Sequence, residues 1–475
     1  YLFAETANLT AVPSTLPSYV TDISYMFYQT ELFNFDISGW DISRVTTLKG
    51  TFQGAKRFNR PLGGWDTSNV TTLEYTFADA QDFDQVINGW ITTRVTNMRG
   101  TFDGALSFDH PISDWDLSNV TDISFMFHFA ESYDRGMAAW DVSKVTDMSS
   151  TFYGAVKFNR LINDWDTSSV ISMDKTFYDA TAYNQPMDNW DLSNVIEFAY
   201  MFHGCVDFNQ DISMWDVSNI QSTSGVFSEC TAFNQPLNSW NMAKMRKTAD
   251  MFRNAVNFNQ PLNNWNVKAV LDFSHMFENA VAFNQNIGGW AVNNATDMSY
   301  MFAGATSFNQ GINGWDVNYV TDMSYMFYNA TSFNGSMGSW DVNIVTNMEH
   351  MFDGAVAFTT DLGGWKTYKV TNMSYMFRNC GLYAKSLWNW DVSKVTNFEH
   401  MFEGASSYNK DLTNTSNGGW RTDSAENMDY MFNGATVFDQ DLKGFVVSGL
   451  YTAGKPDNFD TGSSISAGNL PLWHS

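Results

Sequence analysis

Residues 320 to 341 read Val-Thr-Asp-Met-Ser-Tyr-Met-Phe-Tyr-Asn-Ala-Thr-Ser-Phe-Asn-Gly-Ser-Met-Gly-Ser-Trp-Asp, and this stretch decides the fold because it recurs. Phe327 belongs to a column that runs Phe27, Phe52, Phe77, Phe102 and onward in steps of 25 to Phe402, then to Phe432 after a step of 30. Trp340 keeps the same beat, from Trp40 and Trp65 through Trp390, and then Trp420. Only Trp388 and Trp473 stand outside that series. A third column holds Phe33, Phe58, Phe83, Phe108, Tyr133 and Phe158, and a fourth the small residues Ala55, Ala80, Ala105, Ala130, Ala155 and Ala180. Self-similarity at a fixed period is the signature of a solenoid whose units bury a core only against their neighbours.

Within the quoted unit, apolar or small residues at Val320, Met323, Met326, Phe327 and Ala330 are spaced to lie along one side of a short helix or tight turn. Met337, Trp340 and Val342 suit a turn entering a very short strand. Stacked copies would align those strands in parallel. The prediction is an α/β repeat solenoid of about 17 coils of 25 residues, with short parallel strands on one face and short helices or turns on the other. Burying one Trp removes about 150–250 Å² from water, on the order of 4–6 kcal/mol before entropy. The Trp column is therefore expected to be a leading stabilising element.

Departures from the pattern mark the ends. Residues 1–19 keep apolar content but lack the Trp and read as a degenerate N-terminal cap. Residues 20–445 read as one continuous solenoid, with a five-residue insert near 413–419 where Leu412 and Trp420 are pushed apart. Phe445 takes a Trp position, and 446–475, rich in Gly and Ser, reads as a C-terminal cap or tail. The start at Tyr1 is expected of a processed or excerpted product.

Charge narrows the partners. With 51 acidic against 26 basic residues the net charge is −25, which repels phosphate backbones and anionic lipid, so nucleic acid is not expected as a partner. No apolar run is long enough for a transmembrane segment, and the chain reads as soluble.

Phe-Asn-Gln-Pro-Leu-Asn-Asn-Trp-Asn-Val at Phe258 to Val267 resembles the BspA-like leucine-rich repeat surface proteins, whose 25-residue unit is shared with mycoplasma lipoproteins. Trp-Asp-Val-Ser-Lys-Val-Thr-Asp-Met from Trp140 and Trp-Asp-Val-Ser-Lys-Val-Thr-Asn-Phe from Trp390 carry the same resemblance. It implies a curved, leucine-rich-repeat-like solenoid, secreted or displayed at a cell surface and associated with adhesion. It implies no catalytic residues, and no cofactor is expected apart from the calcium weighed below.

The polar columns are the candidates for function. Asp41, Asp66, Asp116, Asp141, Asp166, Asp191, Asp216, Asp316, Asp341 and Asp391 each follow the Trp. Like charges about 5 Å apart repel by about 3 kcal/mol at an effective dielectric of 20, so something must offset the row. The favoured reading is that each Asp, with the Ser two residues on, caps the following turn. The less favoured one is a calcium ridge over Asp116, Asp141, Asp166, Asp191 and Asp216, calcium being the one cofactor entertained. Asp41, Ser43, Asp66, Ser68, Asp116, Ser118, Asp141, Ser143, Asp166 and Ser168 form the candidate interaction face.

Cys205, Cys230 and Cys380 fall in the alanine column and read as small inward residues, a Cys205–Cys230 disulfide being disfavoured because stacked side chains point the same way. His275, His350 and His400 share one column, read as variable and exposed, and no metal-ligand spacing accompanies them. A threonine column, Thr21 to Thr146 and Thr296 to Thr396, raises ice binding, against the plainer reading of hydroxyls at a first turn. Among the Asn-X-Ser/Thr sequons, Asn414 and Asn8 are the glycosylation candidates.

No nucleophile–base pair stands apart from the repeat, and an enzyme site around His110 and His128 is the weakest reading. The expected function is that of a non-enzymatic extracellular or cell-surface repeat protein serving adhesion or protein/glycan interaction. Alternatives are a structural subunit of an extracellular filament or matrix, its partners copies of itself or other subunits, and, remotely, an ice-binding protein.

Overall fold

Backbone amides in each coil divide their hydrogen bonds between two directions. In the computed structural model, which describes residues 2–6, 9–413, 419–447 and 455–473, the run from Met323 to Ala330 shows this pattern. The N–H groups of Met323, Tyr325, Phe327 and Asn329 donate to the next coil, to the carbonyls of Asn347, Glu349, Met351 and Asp353, at 2.8–3.1 Å. The intervening N–H groups of Met326, Tyr328 and Ala330 donate three residues back, to Met323, Tyr325 and Phe327. Alternation of this kind needs left-handed residues, and Tyr325 and Asn329 sit at φ +57° and +53°. Each such non-glycine residue costs about 1–2 kcal/mol, offset by the bonds it aims along the stack.

This run was expected to be a short helix or a tight turn, and it is a series of turns. The apolar spacing is as read, because residues 323, 326, 327 and 330 all face inward and are buried. A helix, however, would spend every N–H inside the coil and leave none for the neighbour. The short strand was also misplaced. Parallel contacts are single-residue bridges such as Asp322↔Asn347 and Thr47↔Thr72, two residues beyond the Val at 320 or 45, whereas Met337 to Trp340 is a turn closed by Trp340 N–H on the Met337 carbonyl at 3.2 Å. The one regular helical element among the described residues is a 3₁₀ turn, Ala467–Asn469. The fold is a repeat solenoid nonetheless, and the 25-residue period is the register of the bridges.

The chain forms two compact units, Tyr1–Pro236 and Leu237–Ser475, built from the same coil. Inside each, three ring columns stack. In the first, Phe52 and Phe77 lie 5.5 Å apart at 4°, Phe58 and Phe83 6.0 Å apart at 4°, and Trp65 and Trp90 6.3 Å apart at 7°. In the second, Phe302 and Phe327 are 5.5 Å apart and Trp315 and Trp340 6.1 Å apart. Columns also lock together within a coil, as Phe52 on Phe58 at 4.2 Å. Indoles of the Trp column are satisfied across the stack: Trp90 Nε1–H donates to the Leu62 carbonyl at 3.0 Å, and Trp315 Nε1–H to Ile287 at 3.1 Å.

The ends close these columns differently. Phe3 stacks on Phe27 at 5.6 Å, and Trp40 Nε1–H finds the Pro13 carbonyl at 2.9 Å. At the other end Phe445 stacks on Trp420, while Phe459 meets Phe432 edge-on at 5.4 Å and 76°. An edge-on ring ends the parallel stack, and Trp473 packs edge-on against Phe459 in turn.

Two stability predictions follow from this core. Trp315→Ala is expected to cost about 3–5 kcal/mol, read as a lowered denaturation midpoint, and an unchanged midpoint contradicts the packing. The hydroxyls of Tyr133, Tyr183, Tyr383 and Tyr408, which stand in the Phe column, are buried with no hydrogen-bond partner among the described residues. Burial pushes these phenols far above their ordinary range. Tyr183→Phe and Tyr408→Phe should each stabilise the chain by about 1 kcal/mol; a loss in either would show that the hydroxyl has a partner.

Candidate functional site

The candidate face is a ridge of turns that begin at the buried Trp. Because the Trp is anchored in the core, the next residue emerges at the surface at the same place in every coil. Ser43, Ser68, Ser118, Ser143 and Ser168 donate their backbone N–H to Oδ1 of Asp41, Asp66, Asp116, Asp141 and Asp166 at 2.8–3.1 Å. Asp191 and Asp216 do the same with Ser193 and Ser218 at 2.8 and 2.9 Å. Each carboxylate thus holds its own turn. The Ser43 and Ser143 hydroxyls and N–H groups keep the Asp41 and Asp141 carboxyls below the usual carboxylate range. Most of these Asp residues remain exposed, with the Ser half-buried beside them. No group of three or more His, Cys, Asp or Glu among the described residues could hold a metal ion.

Hydrogen bonds between coils secure neighbouring positions. Asn69 and Asn119 Nδ2–H donate to the Ser43 and Thr93 carbonyls one coil back, at 2.7 and 3.0 Å, and Asn294 does likewise to Lys268. These sequon amides are engaged in the fold. Asn8 and Asn414 lie outside the described residues. The threonine column is exposed, yet its hydroxyls bond the stack: Thr46 and Thr71 Oγ1–H donate to the Thr21 and Thr46 carbonyls at 3.2 and 3.0 Å.

A second ladder went unread in the sequence. The Asn that follows the third-column ring, as in Phe-Asn-Gln, accepts through Oδ1 the N–H of the same position one coil on: Asn34 from Asn59, Asn159 from Asn184, Asn184 from Asn209 and Asn284 from Asn309, at 3.0–3.1 Å. Gln185 and Gln210 Nε2 join on the same oxygens, at 2.9 and 2.7 Å. Where the column turns acidic, at Asp109 and Asp134, Arg135 and Arg160 of the following coils pair at 2.6 Å. The signal was the motif itself, whose Asn recurs at the ring-plus-one position.

The histidine column is the main correction on the surface. The column varies in sequence, as read, but its histidines are buried or half-buried and not exposed. His275, Tyr300, Tyr325, His350, Tyr375, His400 and Tyr430 form a face-to-face ladder with centroids 4.1–4.5 Å apart. His350 Nδ1 lies 2.7 Å from the nearly buried Asp353, which Arg378 also binds at 2.7 Å. The same column starts the first unit by alternating Tyr25, Gly50, Tyr75 and Gly100. A Cβ on Gly50 or Gly100, at φ +58° and +57°, would stand 2.4 and 2.3 Å from the rings of Tyr25 and Tyr75.

His110 and His128 pair separately, with Asp84 at 3.4 Å and Asp103 at 2.7 Å. Cys205, Cys230 and Cys380 are buried free thiols, each with Sγ donating to a carbonyl of the previous coil, and burial pushes all three thiols up. No helix of the described residues is long and apolar enough to cross a membrane.

The depressed Asp141 carboxyl gives a signed prediction. A depressed folded pKa adds stability that is present above the unfolded value and lost as pH falls through the folded one. Asp141 is exposed and its charge is screened by solvent, so Asp141→Ala should cost no more than about 0.5 kcal/mol at neutral pH, and the gap to wild type should close once the pH is below the usual carboxylate range. A pH-independent gap contradicts the capping role.

A family model described as "Mycoplasma protein of unknown function, DUF285" matches residues 2–111, 86–187, 157–264, 250–365 and 346–461. No curated protein matches the chain. Among solved structures, a leucine-rich repeat protein from Bacteroides ovatus is similar at 10% identity, over 92% of this chain and 91% of that one, with a TM-score of 0.32. A Leptospira interrogans leucine-rich repeat protein is similar at 9% identity over 75% and 90%, with a TM-score of 0.19. The TLR13 chain of a TLR13–ssRNA13 complex is similar at 12% identity over 91% of this chain, with a TM-score of 0.22, and this chain spans 51% of its length.

Proposed function

We propose, from the premise that the chain belongs to the DUF285 family of mycoplasma proteins of unknown function, that it is a non-enzymatic repeat protein of the cell surface or extracellular space. In this reading it serves adhesion, binding protein or glycan partners through its outward columns, in the manner of the BspA-like proteins its motifs resemble. The observation that carries the reading is the rigid repetition of the Asp–Ser ridge. Backbone bonds between coils fix the register, so exposed carboxylates recur in rows with their turns already ordered. Pre-ordered groups cost little entropy when a partner binds, which is what a recognition surface needs. The acidic excess directs this face toward basic or neutral partners and away from nucleic acid.

A second reading, a subunit of an extracellular filament or matrix, is favoured by apolar side chains in the gap of the threonine column. Ile171 and Ile196 are 45% and 51% exposed, and they suit lateral packing between copies.

Labelled chain applied to extracellular matrix proteins and a glycan array should bind saturably, and the triple variant Asp116→Lys, Asp141→Lys, Asp166→Lys should weaken that binding by at least about tenfold. Sedimentation over a range of concentrations separates the second reading, which expects assembly. Binding that ignores the charge reversal contradicts the ridge, and neither binding nor assembly contradicts both readings.

A further inference from the structure

Departures from an otherwise uniform repeat meet at one place in the second unit. Position 388 is small or polar in other coils, as Gly288, Asn313, Gly338 and Gly363, but is Trp388 here. In the next coil Leu412 and Trp420 are separated by seven residues rather than two, and Arg421 replaces the usual Asp. The structure brings these together around a cavity of about 250 Å³ lined by Trp388, Asn389, Asp391, Ser393, Gly419 and Arg421, with the Trp390 core residue behind. Thr413 and Gly419, which flank the insert, come close: a Cβ on Gly419 would stand 3.0 Å from the Thr413 carbonyl carbon. Two departures from the consensus, Trp388 and Arg421, thus line the same cavity.

Its chemistry selects among small ligands. Trp388 is half-buried and is not needed by the core Trp column, which Trp390 continues at 6.1 Å from Trp365. An indole offers a flat apolar face, and the other residues offer both donors and acceptors in a mostly polar wall. The Asp391 Oδ1 is occupied by Ser393 N–H at 2.9 Å, leaving Oδ2 as an acceptor. Arg421 is 72% exposed and has its Nε 3.2 Å from Asp423 Oδ2, so its charge is answered on the protein. The lining carries one carboxylate, Asp391, and one guanidinium, Arg421, and so has no net charge to favour a cation or an anion. An uncharged group with one apolar face and a rim of hydroxyls fits both constraints, and the volume suits a group well below drug size.

We propose that this cavity is a subsite for one uncharged pyranose residue of a glycan, with the ring's C–H face on the Trp388 indole and its hydroxyls read by Asn389, Asp391 and Arg421. This deepens the surface-binding reading and rests on it.

The test uses the full chain labelled with 5-fluorotryptophan, the Trp388 fluorine resonance being assigned by its loss in Trp388→Gly, a residue the same position carries in other coils. Neutral gluco-, manno- and galacto-oligosaccharides are titrated beside a uronate oligosaccharide. The expected result is that a neutral sugar shifts the Trp388 resonance while the core Trp resonances stay in place, and that Arg421→Asp, which installs the column's usual residue, weakens the response by about tenfold. Three results would overturn the subsite: no neutral sugar moves the Trp388 resonance, only the uronate does, or the response is unchanged in Arg421→Asp. If the chain still binds its partners through the Asp–Ser ridge, such a failure falls on this cavity alone; loss of ridge binding would instead strike the broader reading.

Discussion

Everything in this structure depends on how a coil divides its backbone amides. Half of those in the turn run bond within the coil and half bond the next coil, 24 residues ahead. The second set fixes the coil spacing, and that spacing stacks the Phe and Trp rings at about 5.5–6.4 Å. The stack then secures the turns, since each Trp anchors the turn that follows it, an Asp–Ser turn in coils such as those of Asp41 and Asp141. Neither level is stable alone: a coil without a neighbour has unpaired N–H groups and bare rings, which is the physical basis of its dependence on repetition.

Much of the core was legible because it is written in large apolar residues at fixed positions. Phe327, Phe333, Trp340 and Ala330 are inward, as their columns predict. The local conformation was not legible in the same way. A spacing of 3, 3, 1 and 3 over Val320 to Ala330 fits a helix and a succession of turns equally well, because both bring every third or fourth residue to one side. The discriminating signal was in polar company. Position 25 of the period alternates Tyr25, Gly50, Tyr75, Gly100, and position 29 favours Gly, Asn and Asp, as in Gly54, Asp79, Gly104 and Asn329. Gly, Asn and Asp are the residues that tolerate left-handed backbone, and a helix would have no use for them there.

The candidate surface was readable in part. Asp beside Trp, with Ser two residues on, spelled the capping turn because that bond is local in sequence. The Asn34-to-Asn59 ladder and the seven-ring ladder from His275 to Tyr430 join residues 25 or more apart, and their partners are known only once the coils are in register. Regular columns therefore carry two messages at once. Most polar repetition stitches coils together; the places that break the repetition, such as Trp388 and Arg421, are where side chains are released from that duty.

The division of amide bonds is open to direct measurement by scalar couplings across hydrogen bonds in the deuterated chain. The account predicts that the Phe327 amide nitrogen couples to the Met351 carbonyl carbon and the Met326 amide to that of Met323. Coupling of the Phe327 amide to the Met323 carbonyl, four residues back, would mean a helix and would contradict it.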